Sequence, residues 1–282
     1  MVYIADETIE RWIREDVPYG DLTSWLLEIG GRRGKIEYFS REETVVCGTE
    51  EAARIFIKLG ATVQTVLPSG SLVKPGQLLL AAEGTAAGLH QGWKVVLNIL
   101  EYASGIAART HRLVKVAKNI NPKLEIVATR KSFPGTKELA IKAILSGGAL
   151  PHRLGLSETV LIFEQHRVFL NDFAALVTKI PELKAKAPEK KVIVEVETLD
   201  EAIQLANAGV DGIQFDKVES TVLESWVRTL REINPQLVLL AAGGVNENNI
   251  VSYAKTGIDA VATTAVFFGK PADIRAKITK NE

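Results

Sequence analysis

The chain has 282 residues, of which 46% are hydrophobic, enough to bury one large core or two smaller ones. Lys plus Arg and Asp plus Glu number 34 each, so no global field recruits nucleic acid or an anionic membrane, and any anion binding must come from local clusters. The single Cys47 excludes an intramolecular disulfide and a cysteine-based metal site; no apolar run approaches the roughly 20 residues of a membrane span, and no secretory signal pattern opens the chain, which therefore reads as a soluble cytoplasmic protein.

In chain order, Asp6 to Glu15 forms an amphipathic helix with Ile9, Trp12 and Ile13 on one face. Extended segments follow between Gly34 and Gly48, with the β-branched pair Val45-Val46 favouring a strand. Thr49 is placed to cap a helix over Glu50–Leu59 that Gly60 ends. Strands are expected over Thr62–Leu67 and Gln77–Ala82, joined through the Ser69-Gly70 and Pro75-Gly76 turns. A long helical tract runs from about Ala86 to Lys118, with a break expected at Gly105.

Beyond it the pattern becomes rhythmic. Short apolar strands are predicted at Leu124–Thr129, Thr159–Phe163, Lys191–Val196, Gly212–Phe215, Leu237–Ala242 and Asp259–Thr263. Helices are predicted between most of them: Lys137–Leu145, Phe173–Ala185, Leu199–Asn207, Ser220–Ile233 and Asn248–Lys255. Alternation of this kind argues for parallel strands with right-handed crossovers, and strands apolar on both faces suit a sheet covered on both sides, as in a barrel.

The polar residues of this half gather at strand ends. Arg130 and Lys131 follow the first strand, Glu164 the second, Glu195 and Glu197 the third, and Asp216 ends the fourth; Gly243-Gly244 follows the fifth and Thr263-Thr264 close the sixth. A second basic pair, His152-Arg153, follows the Gly147-Gly148 break. Each has an ordinary explanation: a solvated basic loop, a packing pair, a surface carboxylate, an N-cap at Asp216, a plain glycine turn. Their shared position is harder to dismiss, because the C-terminal edge of a β/α barrel is where side chains from different strands converge on substrate. The glycine pair could present backbone N–H groups to a phosphate. A basic cluster facing strand-end carboxylates suggests an anionic substrate held with a divalent cation, since Mg²⁺ commonly uses one or two carboxylates with phosphate oxygens.

These segments, with Glu15-Asp-Val-Pro-Tyr-Gly-Asp-Leu-Thr-Ser24, Val46-Cys-Gly-Thr-Glu-Glu-Ala-Ala-Arg54, Thr129-Arg-Lys-Ser-Phe-Pro-Gly135, His152-Arg-Leu-Gly155, Glu195-Val-Glu-Thr-Leu199 and Phe215-Asp216, make the chain resemble the quinolinate phosphoribosyltransferase (carboxylating nicotinate-nucleotide pyrophosphorylase) family over nearly its whole length. Within it, Ser-Phe-Pro-Gly-Thr-Lys and Pro-His-Arg-Leu-Gly-Leu-Ser-Glu look most like the ModD subgroup, proteins associated with molybdate-transport operons. The resemblance implies an α/β chain: an N-terminal α/β sandwich domain over residues 1–102 plus the tail 267–282, and an incomplete parallel α/β barrel over 103–266. It also implies a homodimer whose sites are shared across the interface.

Carried over by resemblance, Lys131, Glu197 and Asp216 are the catalytic candidates, with Glu197 and Asp216 also holding Mg²⁺ and the ribose hydroxyls. Lys94, Arg130, His152, Arg153, Phe163, Lys217, Gly243, Gly244 and Thr264 are the substrate-binding candidates, the glycine pair at the 5′-phosphate. The implied reaction is attack of a ring nitrogen of quinolinate or a related acid on the anomeric carbon of phosphoribosyl pyrophosphate (PRPP), with pyrophosphate leaving. Five positions depart from the family pattern. Lys94 replaces an arginine and its neighbour Trp93 a glutamate; Phe163 stands in place of a lysine; Ala242 stands in place of a serine before the glycine pair; Lys217 replaces an asparagine. Losing the lysine at 163 points to an acceptor less anionic than quinolinate, with Lys217 restoring part of the charge. The competing reading is an accessory anion-binding protein that serves molybdate uptake and has lost catalysis; it gives no reason to keep the carboxylates. A barrel isomerase or aldolase lacks support, because Lys131 has the wrong neighbours for a Schiff base.

Overall fold

The computed structural model describes residues 2–281. In chain order the elements are α1 (Asp6–Asp16), α2 (Leu22–Leu26), β1 (Arg33–Ser40), β2 (Thr44–Val45), α3 (Thr49–Lys58), β3 (Thr62–Val66), β4 (Leu72–Val73), β5 (Leu78–Thr85), α4 (Ala86–Ile120), β6 (Glu125–Ala128), α5 (Lys137–Ser146) and β7 (Leu150–Pro151). They continue with β8 (Val160–Ile162), α6 (Glu164–Arg167), α7 (Phe173–Lys186), β9 (Val192–Val196), α8 (Leu199–Asn207), β10 (Gly212–Asp216), α9 (Ser220–Ile233), β11 (Val238–Ala242), α10 (Ile250–Ala254), β12 (Ala260–Thr263) and β13 (Ile274–Lys280). The packing divides into two compact units: Met1–His111 with Ser132–Gly148 and Phe267–Glu282, and Arg112–Lys131 with Ala149–Val266.

The first unit is built on an antiparallel sheet in the order β13-β1-β5-β3. Burial alternates strictly along β1, where Ile36 and Tyr38 face the core while Lys35 and Glu37 do not, the period-2 signature of a sheet covered on one face. Two sequence expectations fail here for physical reasons. Thr49 does not cap α3: it is the first helical residue, Gly48 precedes it with φ 92°, and the Thr49 hydroxyl donates to the Leu67 carbonyl at 2.6 Å. Gly105 does not break α4, which runs unbroken for 35 residues. A Cβ at 105 would lie 3.0 Å from Pro271 Cα and 3.1 Å from Ala272 N and Lys270 O, so this glycine serves close chain approach, not helix termination.

The same unit buries a charge. Lys142 on α5 is 4% exposed and bonds Glu50 at 2.8 Å and Glu51 at 2.5 Å, both on α3. Burial pushes the Glu50 carboxyl up, but Lys142 and Ser69 outweigh it and hold it down to about 2.

The second unit is a seven-stranded parallel sheet in the order β7-β6-β12-β11-β10-β9-β8. That is the chain order turned into a circle and opened between β7 and β8, an incomplete α/β barrel. The strands are nearly all buried, which explains their unbroken apolar runs: β10, β11 and β12 have at most one residue each that is not buried. Inside, Leu161, Ile193, Leu240 and Ala260 form an apolar plug, with Val127, Val238 and Phe163 packed against it. Outside, helices cover the sheet through one stripe each; α9 buries Leu223, Val227 and Leu230, spaced four and three residues apart. Thr198 caps α8, its side chain accepting from Glu201 N–H, and Asp172 caps α7 in the same way through Ala175 N–H. The short β7 and α6 lay outside the sequence reading: two and four residues are too few to show a period.

Candidate active site

The C-terminal ends of the barrel strands open onto a cavity of about 690 Å³, within the size range of small-molecule sites. Four cationic side chains line it, Arg130, Lys131, Arg153 and Lys217, against two carboxylates, Glu195 and Asp216. A chain with no net charge thus concentrates positive charge at one mouth. Of the polar residues singled out in the sequence, Lys94, Glu164 and Glu197 do not line this cavity; the basic pairs, Phe163, Glu195, Asp216, Lys217, the glycine pair and Thr264 do.

Each side chain arrives from a strand end. Arg130 and Lys131 follow β6, where Lys131 N–H donates to the Thr129 hydroxyl at 3.2 Å and Thr129 meets Thr264, past β12, at 2.8 Å. His152 and Arg153 follow β7, and His152 N–H donates to the Ala128 carbonyl at 2.8 Å, extending the β6–β7 ladder. Phe163 follows β8, its backbone N–H donating to His166 Nδ1 at 3.0 Å and its ring stacked on His166 at 5.8 Å. Arg153 lies over the Phe163 ring, with its guanidinium 5.8 Å from the ring centroid.

Arg153 is the anomaly. It is 8% exposed, yet its guanidinium donates no hydrogen bond and forms no ion pair among the described residues. Burial, and then the charge of Arg130, lowers its pKa from the ordinary value, while the Glu158 carboxylate acts against them. Burial likewise lowers His152, with Arg153 pushing the same way and Gln214 opposing, so the imidazole favours its neutral form.

On the opposite side, Glu195 lies on β9 and Asp216 ends β10. Burial raises the Glu195 pKa, and Asp216 and Glu197 raise it further, while Gln214 and Lys131 act against them. Gln214 donates from Nε2 to Glu195 Oε2 at 2.6 Å. Asp216 does not cap the following helix, whose N-cap is Glu219. Lys217 holds φ 55°, a conformation disfavoured for lysine, and its largely exposed ammonium lies 3.6 Å from Asp216 Oδ2.

Glu195 and Glu197 were expected to share one face, but β9 ends at Val196, and Glu197 is an exposed residue outside the cavity lining. Glu164, also a strand-end carboxylate in the sequence, starts α6 and is exposed, and its neighbour Gln165 lines the cavity instead. Lys94 is exposed in the first unit, its ammonium 4.6 Å from the Trp93 ring. Gly243 and Gly244 both adopt left-handed φ, 84° and 80°. At 243 a Cβ would stand 2.6 Å from Asp216 Oδ1 and 2.7 Å from Lys217 N, so no other residue fits. The pair does not abut a helix as expected: α10 begins six residues after Gly244, with Asn246 and Asn249 bonding the Gly244 carbonyl in the intervening turn. Any phosphate held here meets loop amides and not a helix dipole.

The residue the sequence reading missed is Gln214. It lies within the apolar run Gly-Ile-Gln-Phe-Asp, two before Asp216 and therefore on the same face, a signal that strand alternation makes readable. As for metal, no group of three or more His, Cys, Asp or Glu that could cage an ion occurs among the described residues. The two carboxylates fit only a hard cation that brings further oxygen ligands with an anionic substrate.

The match to known proteins follows this geometry. The N-terminal domain model of quinolinate phosphoribosyl transferase matches residues 21–104, and the C-terminal domain model matches residues 106–275. The chain belongs to the quinolinate phosphoribosyl transferase family. It is 36% identical over 278 residues to a protein of Escherichia coli O157:H7 named "Putative pyrophosphorylase ModD", covering 99% of this chain and 98% of the relative. A protein of the same name from Pasteurella multocida is 37% identical over 283 residues, covering 99% of both chains. Among solved structures, the nicotinate-nucleotide pyrophosphorylase from Francisella tularensis superposes with a TM-score of 0.89 at 26% identity, covering 99% of this chain and 98% of that one. These family structures share the antiparallel-sheet unit and the seven-stranded open barrel, and the residues of the cavity are this chain's own. No helix among the described residues is long and apolar enough to cross a membrane.

Proposed function

We propose that this chain transfers the phosphoribosyl group of PRPP to a ring nitrogen of a carboxylated N-heterocycle, releasing pyrophosphate. The observation that carries the reading is the segregation of charge in one cavity, with Arg130, Lys131 and Arg153 set against Glu195 and Asp216. In this reaction the lone pair of the ring nitrogen forms a bond to the anomeric carbon while the bond from that carbon to pyrophosphate breaks, and its electrons depart on the leaving oxygen. Positive charge develops at carbon and negative charge on pyrophosphate, so carboxylates on one side and cations on the other complement the transition state better than the ground state.

Arg130 and Arg153, with the neutral His152 beside them, suit the carboxylate of the acceptor, because a guanidinium offers two parallel donors to a carboxylate. Lys131 suits the pyrophosphate as a mobile point charge. The amides of Gly243 and Gly244 and the hydroxyl of Thr264 suit the 5′-phosphate. Glu195 takes the place expected for Glu197, since it is the strand-borne carboxylate that reaches the cavity, and with Asp216 it would face the ribose hydroxyls. Glu195 and Asp216 would also hold Mg²⁺, which when bound supplies charge neutralisation on the pyrophosphate. Phe163, an aromatic wall where a lysine was expected, favours an acceptor with fewer carboxylates than quinolinate. A homodimer supplying Lys94 from a second copy is part of the proposal, supported by the exposed apolar residues Leu22, Trp25 and Leu26 on α2.

The test is pyrophosphate release from PRPP and Mg²⁺ across a panel of pyridine mono- and dicarboxylates and their amino and hydroxyl derivatives. Turnover with at least one acid, lost in Asp216→Ala, is the expected result. No turnover with any acid, together with anion binding independent of Mg²⁺, would replace the enzyme with the accessory anion-binding protein.

A further inference from the structure

Gln214 and Glu195 stand opposite one another in the register of β10 and β9, level with the Leu240 and Ala260 members of the apolar plug. Leu240 flanks Gln214 on its other side, and Ala260 pairs with Leu240, so this polar pair is set into an otherwise hydrocarbon layer. Gln214 is 5% exposed and lines the cavity. Its Nε2 is bonded to Glu195 Oε2 at 2.6 Å, which fixes the orientation of the amide, because a carboxylate there only accepts. Its Oε1 is buried and has no partner at hydrogen-bond geometry, although the His152 ring lies near enough to the Gln214 side chain for the amide to act on the imidazole. An amide oxygen without a donor in such surroundings is costly. The cost is explained if a ligand supplies the donor.

We infer that Gln214 reads the acceptor: its free carbonyl oxygen accepts a hydrogen bond from an N–H or O–H group on the heterocycle, at the edge remote from the carboxylate. The acceptor class is therefore a heterocyclic acid bearing an amino, hydroxyl or ring N–H donor, and not a bare pyridine carboxylate. This rests on the phosphoribosyl-transfer reading for the word acceptor. The hydrogen-bonding argument depends only on the cavity. The cations at the strand ends anchor the acid and are indifferent to the rest of the ring, whereas a buried acceptor atom discriminates, because a ligand lacking the donor leaves it unpaired.

The experiment is calorimetric binding of matched acids, pyridine-3-carboxylate and its 2-, 5- and 6-amino derivatives, to the wild type, Gln214→Leu and Gln214→Met. The wild type is expected to bind at least one aminopyridine-3-carboxylate about ten-fold or more tighter than the parent, and both variants to bring that ratio within about two-fold. Cooperative melting of the variants well above the assay temperature excludes misfolding as the cause, and the two apolar replacements guard against one that packs badly. A wild type without any such preference, or a preference retained in both variants, overturns the inference. Because binding is read without turnover, the two proposals separate: Gln214-dependent preference without pyrophosphate release sinks the transfer reaction alone, and release without the preference sinks the role of Gln214 alone.

Discussion

Two buried cations in this molecule have opposite surroundings. Lys142, in the first unit, is enclosed by Glu50 and Glu51 and donates to both at hydrogen-bond distance. Arg153, in the barrel unit, is nearly as buried, yet it meets an aromatic ring and the charge of a second arginine, and Glu158 acts on it only through its charge, with no ion pair at contact distance among the described residues. Burying a charge is costly unless it is paired, so the first arrangement is a finished piece of structure and the second is a receptor whose counter-ion comes from outside. Burial alone would rank them together; the partners tell them apart.

Breaking each cation should therefore give opposite results. Lys142→Met leaves Glu51 buried without a partner, and urea unfolding should show a loss of about 3–5 kcal/mol. Arg153→Met removes a cation with no partner to orphan, so stability should hold or rise, while the affinity for an acid acceptor falls by about 100-fold or more. Equal destabilisation by the two substitutions would erase the distinction.

Gly243→Ala should come next in size. Its left-handed φ and the contact of a new Cβ with Asp216 Oδ1 predict a stability loss of about 1–3 kcal/mol with a fall in turnover as Asp216 shifts. Gly244→Ala, whose Cβ would meet nothing within 4 Å, should cost only the φ strain and leave Asp216 in place. Phe163→Lys adds a cation to the wall beneath Arg153 and should improve binding of a pyridine dicarboxylate over a monocarboxylate by several-fold, measured by competition.

The smallest effect concerns pH. Burial raises the Glu195 carboxyl above the ordinary glutamate value of 4.5, so the folded state holds this proton to a higher pH than the unfolded chain does. The stability contributed by that proton is fully present below 4.5 and is lost as pH rises through the folded value. Glu195→Gln should accordingly be more stable than the wild type at neutral pH, with the advantage shrinking on acidification toward 4.5. An advantage that grows on acidification would mean the carboxyl is held low instead.

The barrel was legible because its strands are short and apolar on both faces, and their alternation with helices leaves few topologies; the basic pairs stood out because glycine or proline flanked them. What stayed hidden depended on neighbours remote in sequence. Gly105 looks like a helix breaker until Pro271 is seen beside it. Glu195 and Glu197 are equivalent in alternation, and only the end of β9 at Val196 separates the residue that reaches the cavity from the one that does not. The antiparallel strand β13 lies in a charged tail with little hydrophobic signal, Ile-Arg-Ala-Lys-Ile-Thr-Lys, and its pairing to β1 supplies the order. Gln214 was concealed by the apolar residues around it, which are also what make it significant.

The central claim is that the barrel's buried arginine awaits an anion. Calorimetric titration of the wild type and Arg153→Met with pyridine-3-carboxylate tests it most directly. The account predicts one site per chain in the wild type and a loss of about 100-fold or more in affinity in the variant, with the fold intact. Affinity unchanged by the substitution would contradict it.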